Sequence, residues 1–363
     1  MNIPQLKMLF LYITWHCNMH CKHCWVPTQP SSDYNHQRTM PSEVTFSDLK
    51  NAIVEAKDLG LNTIKITGGE PYVRKKLVNE LLELSSNIGV QSIIETNGTL
   101  LDEKDVVALK KYEVREVSIS IDFSDAKRFD EFRGLKDGYL RVLEAMKLFH
   151  KYKVNWIGIM TVTKLNLNDI SHVAEIVFKY GAKMLKLDIC MPMGRAKEHH
   201  ELLLTPHDYV KLFEEAVRVE ENFSGKVGMV VPFILPLSFE HRPFQIARSV
   251  CEFKNLLSIL PNGDISLCGL GGEHPEAIFG NIRHDSIKEI WTGSNELLDE
   301  IRSFEPDKIN GVCRICVFRK YCANLCPALV YEKYGTFLAS FPICQELYDS
   351  GMFNAKYLIE DVM

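Results

Sequence analysis

The sequence predicts an α/β fold: an open, partial (β/α)6 barrel followed by a smaller C-terminal domain whose backbone is organised by cysteines. Three observations carry this. Between residues 8 and 190, short apolar runs alternate with longer amphipathic stretches, the pattern of parallel βαβ units with right-handed crossovers. Six such runs are too few to close an eight-stranded barrel. Ten of the eleven cysteines fall into two sets, one directly behind the first run and one in the last third of the chain.

The runs that read as strands are Met8–Trp15, Asn62–Thr67, Gln91–Glu95, Val114–Asp122, Asn155–Thr163 and Met184–Asp188. Between them Thr45–Leu59, Val73–Ser86, Glu103–Lys111, Tyr139–Tyr152 and Ile170–Tyr180 carry apolar residues at helical spacing. In such an architecture the functional loops lie at the carboxyl ends of the strands. After Cys190 the pattern changes. Thr205-Pro206 opens a helix running to about Glu221, with Thr as N-cap and Pro in the first turn. A Pro-punctuated stretch, Val231–Phe244, follows. Leu257–Leu260 and Ile265–Cys268 flank Pro261-Asn262-Gly263-Asp264, which reads as a hairpin turn. From Cys313 to Cys326 cysteines are too dense for packing to organise the chain.

At 363 residues the chain is long enough for one large domain and an appendage. A content of 46% hydrophobic and 25% charged residues excludes a disordered, collagen-like or repeat-built protein. With 42 basic and 47 acidic side chains the net charge is −5, and no long basic run is present, so neither nucleic acid nor a membrane surface is an expected partner. No window reaches the roughly 18 apolar residues of a membrane span; the longest candidate, Met229–Phe239, is broken by Pro232 and Pro236. Without an export signal the expected location is the cytoplasm, where clustered cysteines are metal ligands or catalytic groups rather than disulfides.

Cys17, Cys21 and Cys24 place three thiols within eight residues. Three thiolates so close suit a cuboidal iron–sulfur cluster, leaving one iron open to chelate a ligand. Zinc is the alternative and would take a fourth ligand from His16, His20 or His23. The Cys17-x3-Cys21-x2-Cys24 spacing behind a first strand resembles the signature of the radical S-adenosylmethionine (SAM) enzymes, whose fold is a partial TIM-like barrel. In that family the [4Fe–4S] cluster binds SAM at its open iron, and an electron from the reduced cluster cleaves SAM to methionine and a 5′-deoxyadenosyl radical that abstracts hydrogen from substrate. A flavodoxin- or ferredoxin-type reductant is implied. Further elements appear in family order at successive strand ends. Gly68, Gly69, Glu70 and Pro71 resemble the segment that contacts the SAM amino group, and Asn97 stands in a loop on the nucleoside side. By the same resemblance Ser120 and Asp122 end the strand that contacts SAM, Arg133 pairs with its carboxylate, and Met193 lies in the segment flanking adenine. His23, within the cysteine loop, joins them.

The later cysteines resemble the SPASM domain, which binds two auxiliary [4Fe–4S] clusters. Carried over, that pattern assigns Cys251, Cys268 and Cys326 to auxiliary cluster I and Cys313, Cys316, Cys322 and Cys344 to auxiliary cluster II. Cluster I then has three cysteines, so either a non-cysteine group completes it or one iron is open. Cys190 is left over, as a buried apolar thiol or as a substrate-facing or fourth-ligand group. The division expected is a radical SAM barrel over 1–200, a connecting helix and bridging segment over 201–244, the SPASM domain over 245–350 and a tail over 351–363.

Proteins of this combined class mostly crosslink, epimerise, decarboxylate or excise residues of ribosomally made peptides, which makes a precursor peptide the expected substrate. Others edit tetrapyrrole side chains or mature sulfatases. Gly269 after Cys268, where the sulfatase-maturing branch has an acidic residue, and Leu257, where it has a cysteine, count against the last. The glycines after Cys268 would let an extended peptide approach cluster I. Only sixteen residues precede Cys17, so a separate leader-recognition protein is expected to present the peptide. A non-catalytic electron carrier is a further reading. For a catalytic acid or base, Asp188, His241 and Glu273 are candidates.

Overall fold

The computed structural model describes residues 3–26, 29–30, 42–223, 226–230, 232, 235, 247–248, 251–322 and 325–359, which leaves His241 and most of Val231–Phe244 outside the described residues. All six expected strands form: β1 Met8–Tyr12, β2 Thr63–Thr67, β3 Gln91–Thr96, β4 Glu116–Ser120, β5 Trp156–Val162 and β6 Leu185–Ile189. Each pairs in parallel with its successor, from Met8 opposite Thr63 to Val162 opposite Ile189. Two short strands, β7 Val227–Met229 and β8 Ala247–Arg248, extend this edge in parallel.

The crossovers are α1 Phe46–Lys57, α2 Lys75–Asn87, α3 Glu103–Lys111, α4 Ala126–Arg133, α5 Gly138–Tyr152 and α6 Ile170–Lys179, with α7 Pro206–Phe223 after the barrel. Local chemistry sets several starts. Thr45 with Asp48 and Asp102 with Asp105 form reciprocal capping boxes. Helix α4 is absent from the sequence reading, which set Arg133 after the fourth strand without assigning it to an element. It is a charged helix with only Phe129, Phe132 and Arg133 buried, capped by Asp125 on the Arg128 amide and closed by Gly134 at φ 67°.

One face of each strand supplies the core under the helices: Leu9, Leu11, Ile64, Ile66, Ile94, Val117, Ile119, Met160 and Leu187 are at most 1% exposed. The alternate positions, among them Tyr12, Lys65, Glu95 and Lys186, point to the barrel interior.

The C-terminal hairpin is β9 Leu256–Ile259 with β10 Asp264–Ser266, followed by β11 Ile278–Asn281. The hairpin expected from Pro261–Asp264 is therefore present, but it is not a separate sheet. Strand β9 pairs in parallel with β1, Met8 opposite Leu256 through Leu11 opposite Ile259, giving one eleven-stranded sheet in the order β8-β7-β6-β5-β4-β3-β2-β1-β9-β10-β11. This pairing carries the Cys268 loop to the open side of the barrel. Helices α8 Pro327–Tyr334 and α9 Pro342–Asp349 follow Cys326 and hold Cys344. Among the described residues no helix is long and apolar enough to cross a membrane.

Candidate functional site

The Cys17–Cys24 loop leaves β1 and is tied to the barrel mouth from several sides. The amides of His20 and Lys22 donate to the carbonyls of Arg133 and Phe132 at the end of α4. Gly69 and Glu70 donate to Thr14 and His16, and a Cβ at Gly68 or Gly69 would collide with this backbone, which is why glycine stands at both. After β6, the Arg195 amide donates to the Cys24 carbonyl and its Nε to the Cys21 carbonyl at 2.8 Å. Gly194, at φ 55°, lies so close to Cys24 and Trp25 that no side chain fits.

Of the residues expected from the sequence to contact SAM, Glu70, Asn97, Asp122, Arg133 and His23 are tied to one another or to the cysteine loop here. Cys17 and Cys21 are buried, and Cys24 partly so. Burial pushes the Cys17 thiol up to about 12 and Cys21 up to about 11. Two donors point at the sulfurs: Asn97 Nδ2 is 3.8 Å from Cys17 Sγ, and Arg133 Nη1 is 3.8 Å from Cys21 Sγ. Arg133 is in turn held by Asp122, at 2.7 Å from Nε and 2.6 Å from Nη2, while the second Asp122 oxygen accepts from the Thr161 amide. Ser120 ends β4, two residues before Asp122.

Glu70 is fully buried, and its carboxylate accepts from the Tyr72 and Asn97 amides and the Thr96 hydroxyl. It braces the loops after β2 and β3 against each other, and burial raises it to about 7 despite these donors. Pro71 opens the short turn behind it. His23 stacks on Phe132 at 4.8 Å, and its buried Nδ1 has no hydrogen-bond partner. Burial lowers His23 to about 4, so the ring is neutral at pH 7. Met193 is fully buried in the segment that covers Cys24.

The remaining cysteines gather as two groups. Cys251, Cys268 and Cys326 are raised by burial, and Cys251 also feels the other two thiols. Cys268 adopts a left-handed φ of 55°, and its carbonyl accepts from the Ser258 hydroxyl. Cys313, Cys316, Cys322 and Cys344 line one cavity walled by apolar side chains including Phe318, Leu325 and Phe341. Hydrogen bonding between Cys344 and Cys313 raises the former and lowers the latter. Cys190 joins neither group; it is a core thiol 4% exposed, with Asp122 and Tyr209 as its charged or polar surroundings.

The loop after Cys268 is not an open path. Leu270 and Gly271 are buried, and a Cβ at Gly269 would meet Trp25 and the Tyr12 hydroxyl. Those glycines let the second cysteine group pack against the first cysteine loop. Glu273, a candidate acid or base, is engaged by Lys197 at 2.6 Å; Lys197 also reaches Glu332 at 2.9 Å, and Glu332 meets His274 at 2.7 Å. This clasp joins the segment after β6, the loop after Cys268 and helix α8, and no sequence signal pointed to it.

The donor sets fit iron–sulfur clusters. Among the described residues no three His, Cys, Asp or Glu side chains converge tightly enough for a single metal ion. In a cuboidal cluster each thiolate takes a different iron, so the sulfurs surround a volume instead of meeting at a point. The apolar cavity ringed by four thiols has that form, and the unsatisfied Nδ1 of His23, within the first loop, marks a place where a polar ligand atom would complete the site.

Comparison with known proteins agrees. Residues 11–177 match the radical SAM superfamily and residues 251–317 match an iron–sulfur cluster-binding domain, SPASM. An AdoMet-dependent heme synthase of Methanosarcina barkeri is 26% identical, over 94% of this chain and 97% of its own. The subtilosin biosynthesis protein AlbA of Bacillus subtilis is 25% identical, over 86% of this chain and 65% of its own. Among solved structures, Streptococcus suis SuiB bound to precursor peptide SuiA superposes with a TM-score of 0.70 at 18% identity, covering 94% of this chain and 76% of SuiB. Native anSMEcpe with bound AdoMet gives 0.69 at 20% identity, covering 94% and 95%.

Proposed function

Because this chain is a radical SAM enzyme with a C-terminal SPASM domain, using [4Fe–4S] clusters and SAM, we propose that it removes a hydrogen atom from a ribosomally made precursor peptide to install a crosslink, epimerisation, decarboxylation or excision. In this reading Cys17, Cys21 and Cys24 hold the SAM-binding cluster, Cys251, Cys268 and Cys326 auxiliary cluster I, and Cys313, Cys316, Cys322 and Cys344 auxiliary cluster II. Bound there, the first cluster and SAM supply the one-electron chemistry that removes hydrogen from an unactivated carbon.

The chain's own residues position and shield. Arg133, fixed by Asp122, presents a guanidinium to the SAM carboxylate beside Cys21. Asn97 and Ser120 offer polar groups to the nucleoside, Glu70 keeps the Gly68–Pro71 and Asn97 loops at a fixed separation, and neutral His23 offers Nδ1 to SAM. Met193 and Gly194 close the segment over Cys24, and Trp25 with Tyr12 fills the space towards Cys268, excluding water.

The observation that carries the peptide reading is the charge balance of the barrel interior. Lys65 and Lys186 are met there by Glu95 and Asp188, both polarities being offered side by side. Such a lining suits the donors and acceptors of a peptide better than a polyanionic ligand. A separate leader-recognition protein and a flavodoxin- or ferredoxin-type reductant belong to the same proposal. Anaerobic incubation with SAM, reductant, and the short peptide and leader-recognition protein encoded beside the gene tests it: a mass change in the peptide supports it, and an unmodified peptide alongside active SAM cleavage contradicts it.

The second reading is side-chain editing of a carboxylated tetrapyrrole. Its specific support is the nearly full-length match to the heme synthase of Methanosarcina barkeri. A tetrapyrrole losing carbon dioxide in the same assay, with the peptide untouched, would establish it instead.

A further inference from the structure

Apart from the main core, Tyr12 at the end of β1, Val26 behind the first cysteine loop and Leu260 after β9 form a small buried apolar cluster, with Cys24 and Trp25 packed against it. Three parts of the chain meet there: the barrel, the Cys17–Cys24 loop and the C-terminal hairpin. Trp25 reaches from one to another. At one end its backbone is held. The Arg195 amide donates to the neighbouring Cys24 carbonyl at 2.9 Å, Arg195 Nε donates to the Cys21 carbonyl at 2.8 Å, and a Cβ at Gly194 would lie 2.7 Å from Trp25 Cα. At the other end the far edge of the indole rests on Gly269, where a Cβ would lie 2.8 Å from Cη2 and 2.9 Å from Cζ3.

The fit at Gly269 is purely steric. Its φ of −86° and ψ of 5° are those of the third position of a type I turn, which ordinary residues adopt. The backbone therefore gives no reason for glycine, and the indole does. The contact adjoins Cys268, whose Sγ lies 3.9 Å from the Tyr12 hydroxyl of the same cluster. One rigid ring thus runs from the residue after Cys24 to the residue after Cys268. A side chain packed closely at both ends passes displacement on, because its surroundings have no slack to absorb it. A shift of the Cys268 loop would push the ring, and the ring would push Cys24.

We propose that Trp25 is a positioning residue that couples the SAM site to the SPASM domain: seated on Gly269, its ring holds the Cys24 thiolate in the place that SAM binding requires. The inference rests on the reading of Cys17, Cys21 and Cys24 as ligands of the SAM-binding cluster. It adds that SAM affinity depends on a contact with the Cys268 loop. Such a dependence is an equilibrium coupling, so whatever displaces that loop weakens SAM binding, and bound SAM in return holds the loop in place. In this role Trp25 acts through Cys24 and is not a catalytic residue.

The test is a double-mutant cycle on the anaerobically reconstituted full chain. It is read by equilibrium dialysis of SAM and by the change that SAM causes in the electron paramagnetic resonance signal of the dithionite-reduced protein. Gly269→Ala should bind SAM at least about fivefold more weakly, the low end of couplings between sites, with a smaller SAM-induced change in the signal. Phe is shorter than Trp and leaves room for the added methyl group, so Trp25→Phe/Gly269→Ala should bind SAM more tightly than Gly269→Ala alone. Tyr12→Phe/Gly269→Ala should not, although the Tyr12 hydroxyl would lie 3.0 Å from the same Cβ. Unchanged affinity in Gly269→Ala overturns the proposal, as does a loss that Trp25→Phe leaves in full or that Tyr12→Phe repairs instead. The ligand reading fails separately: changing Cys17, Cys21 and Cys24 to Ala would then leave both the SAM affinity and the signal change intact.

Discussion

Replacing Arg133 by Met separates the positioning role of this residue from everything else at the site. Its guanidinium is 5% exposed and holds Asp122, which is fully buried, through two contacts to a single oxygen at 2.6 and 2.7 Å. Met fills much of the same volume but leaves the Asp122 carboxylate with the Thr161 amide and the Asn166 side chain nearby on its backbone carbonyl. Breaking a buried ion pair from one side costs about 3–5 kcal/mol, because the remaining charge is uncompensated. At roughly 2.1 cal/mol/K of unfolding entropy per residue, that lowers the melting temperature of a chain this long by about 4–7 °C. Asp122→Asn/Arg133→Met removes both charges and should recover at least half of that loss. The assay is anaerobic thermal unfolding of both single variants and the double variant, with SAM binding by equilibrium dialysis alongside. SAM affinity should stay low in the double variant even as stability returns. A single-variant cost under about 1 kcal/mol, or a double variant as unstable as the sum of the singles, would refute the coupling.

Three further outcomes follow from the geometry. Glu220 on α7 is 4% exposed with an unpartnered Oε1, and burial raises it to about 7; its contribution to stability is full below the unfolded pKa near 4.5 and is lost as pH rises through 7. Glu220→Gln should therefore gain on wild type by about 1–2 kcal/mol between pH 5 and pH 8 in urea unfolding, and a difference independent of pH would contradict this. Gly194→Ala places a Cβ into the Cys24 carbonyl at a left-handed φ, so SAM should bind at least tenfold more weakly in dialysis while the auxiliary clusters keep their iron. Lys197→Met leaves Glu273 and Glu332 facing one another without their common cation; the melting temperature should fall by a few degrees and be restored by Arg.

What could be read from the sequence depended on whether the signal was local. The six barrel strands and the cysteine spacing are local patterns, and the thiols gather in the structure as three, three and four, with Cys190 apart in the core. Helix α4 escaped because Ala126–Arg133 buries too few apolar residues to show a helical period; Asp125 and Gly134 as its cap and stop were the usable signals. The parallel pairing of β9 with β1 joins residues about 250 positions apart, and nothing in either segment specifies that partner. Lys65 and Lys186 carry no local signal of their place, because in a barrel the alternate face of a strand is the interior and not solvent. Glu70 was named by motif as an expected SAM-site residue, and only the structure gives its hydrogen bonds to Tyr72, Thr96 and Asn97.

The most direct test of the account is iron and 5′-deoxyadenosine measured together on anaerobically reconstituted protein in which each cysteine group is removed in turn. Wild type should hold about twelve irons per chain, and each removal should cost about four. Only loss of Cys17, Cys21 and Cys24 should abolish SAM cleavage under dithionite, whereas loss of Cys313 and Cys316 should spare it. Cleavage surviving removal of the first three, or iron that falls by the same amount when Cys190 is replaced, would contradict the assignment.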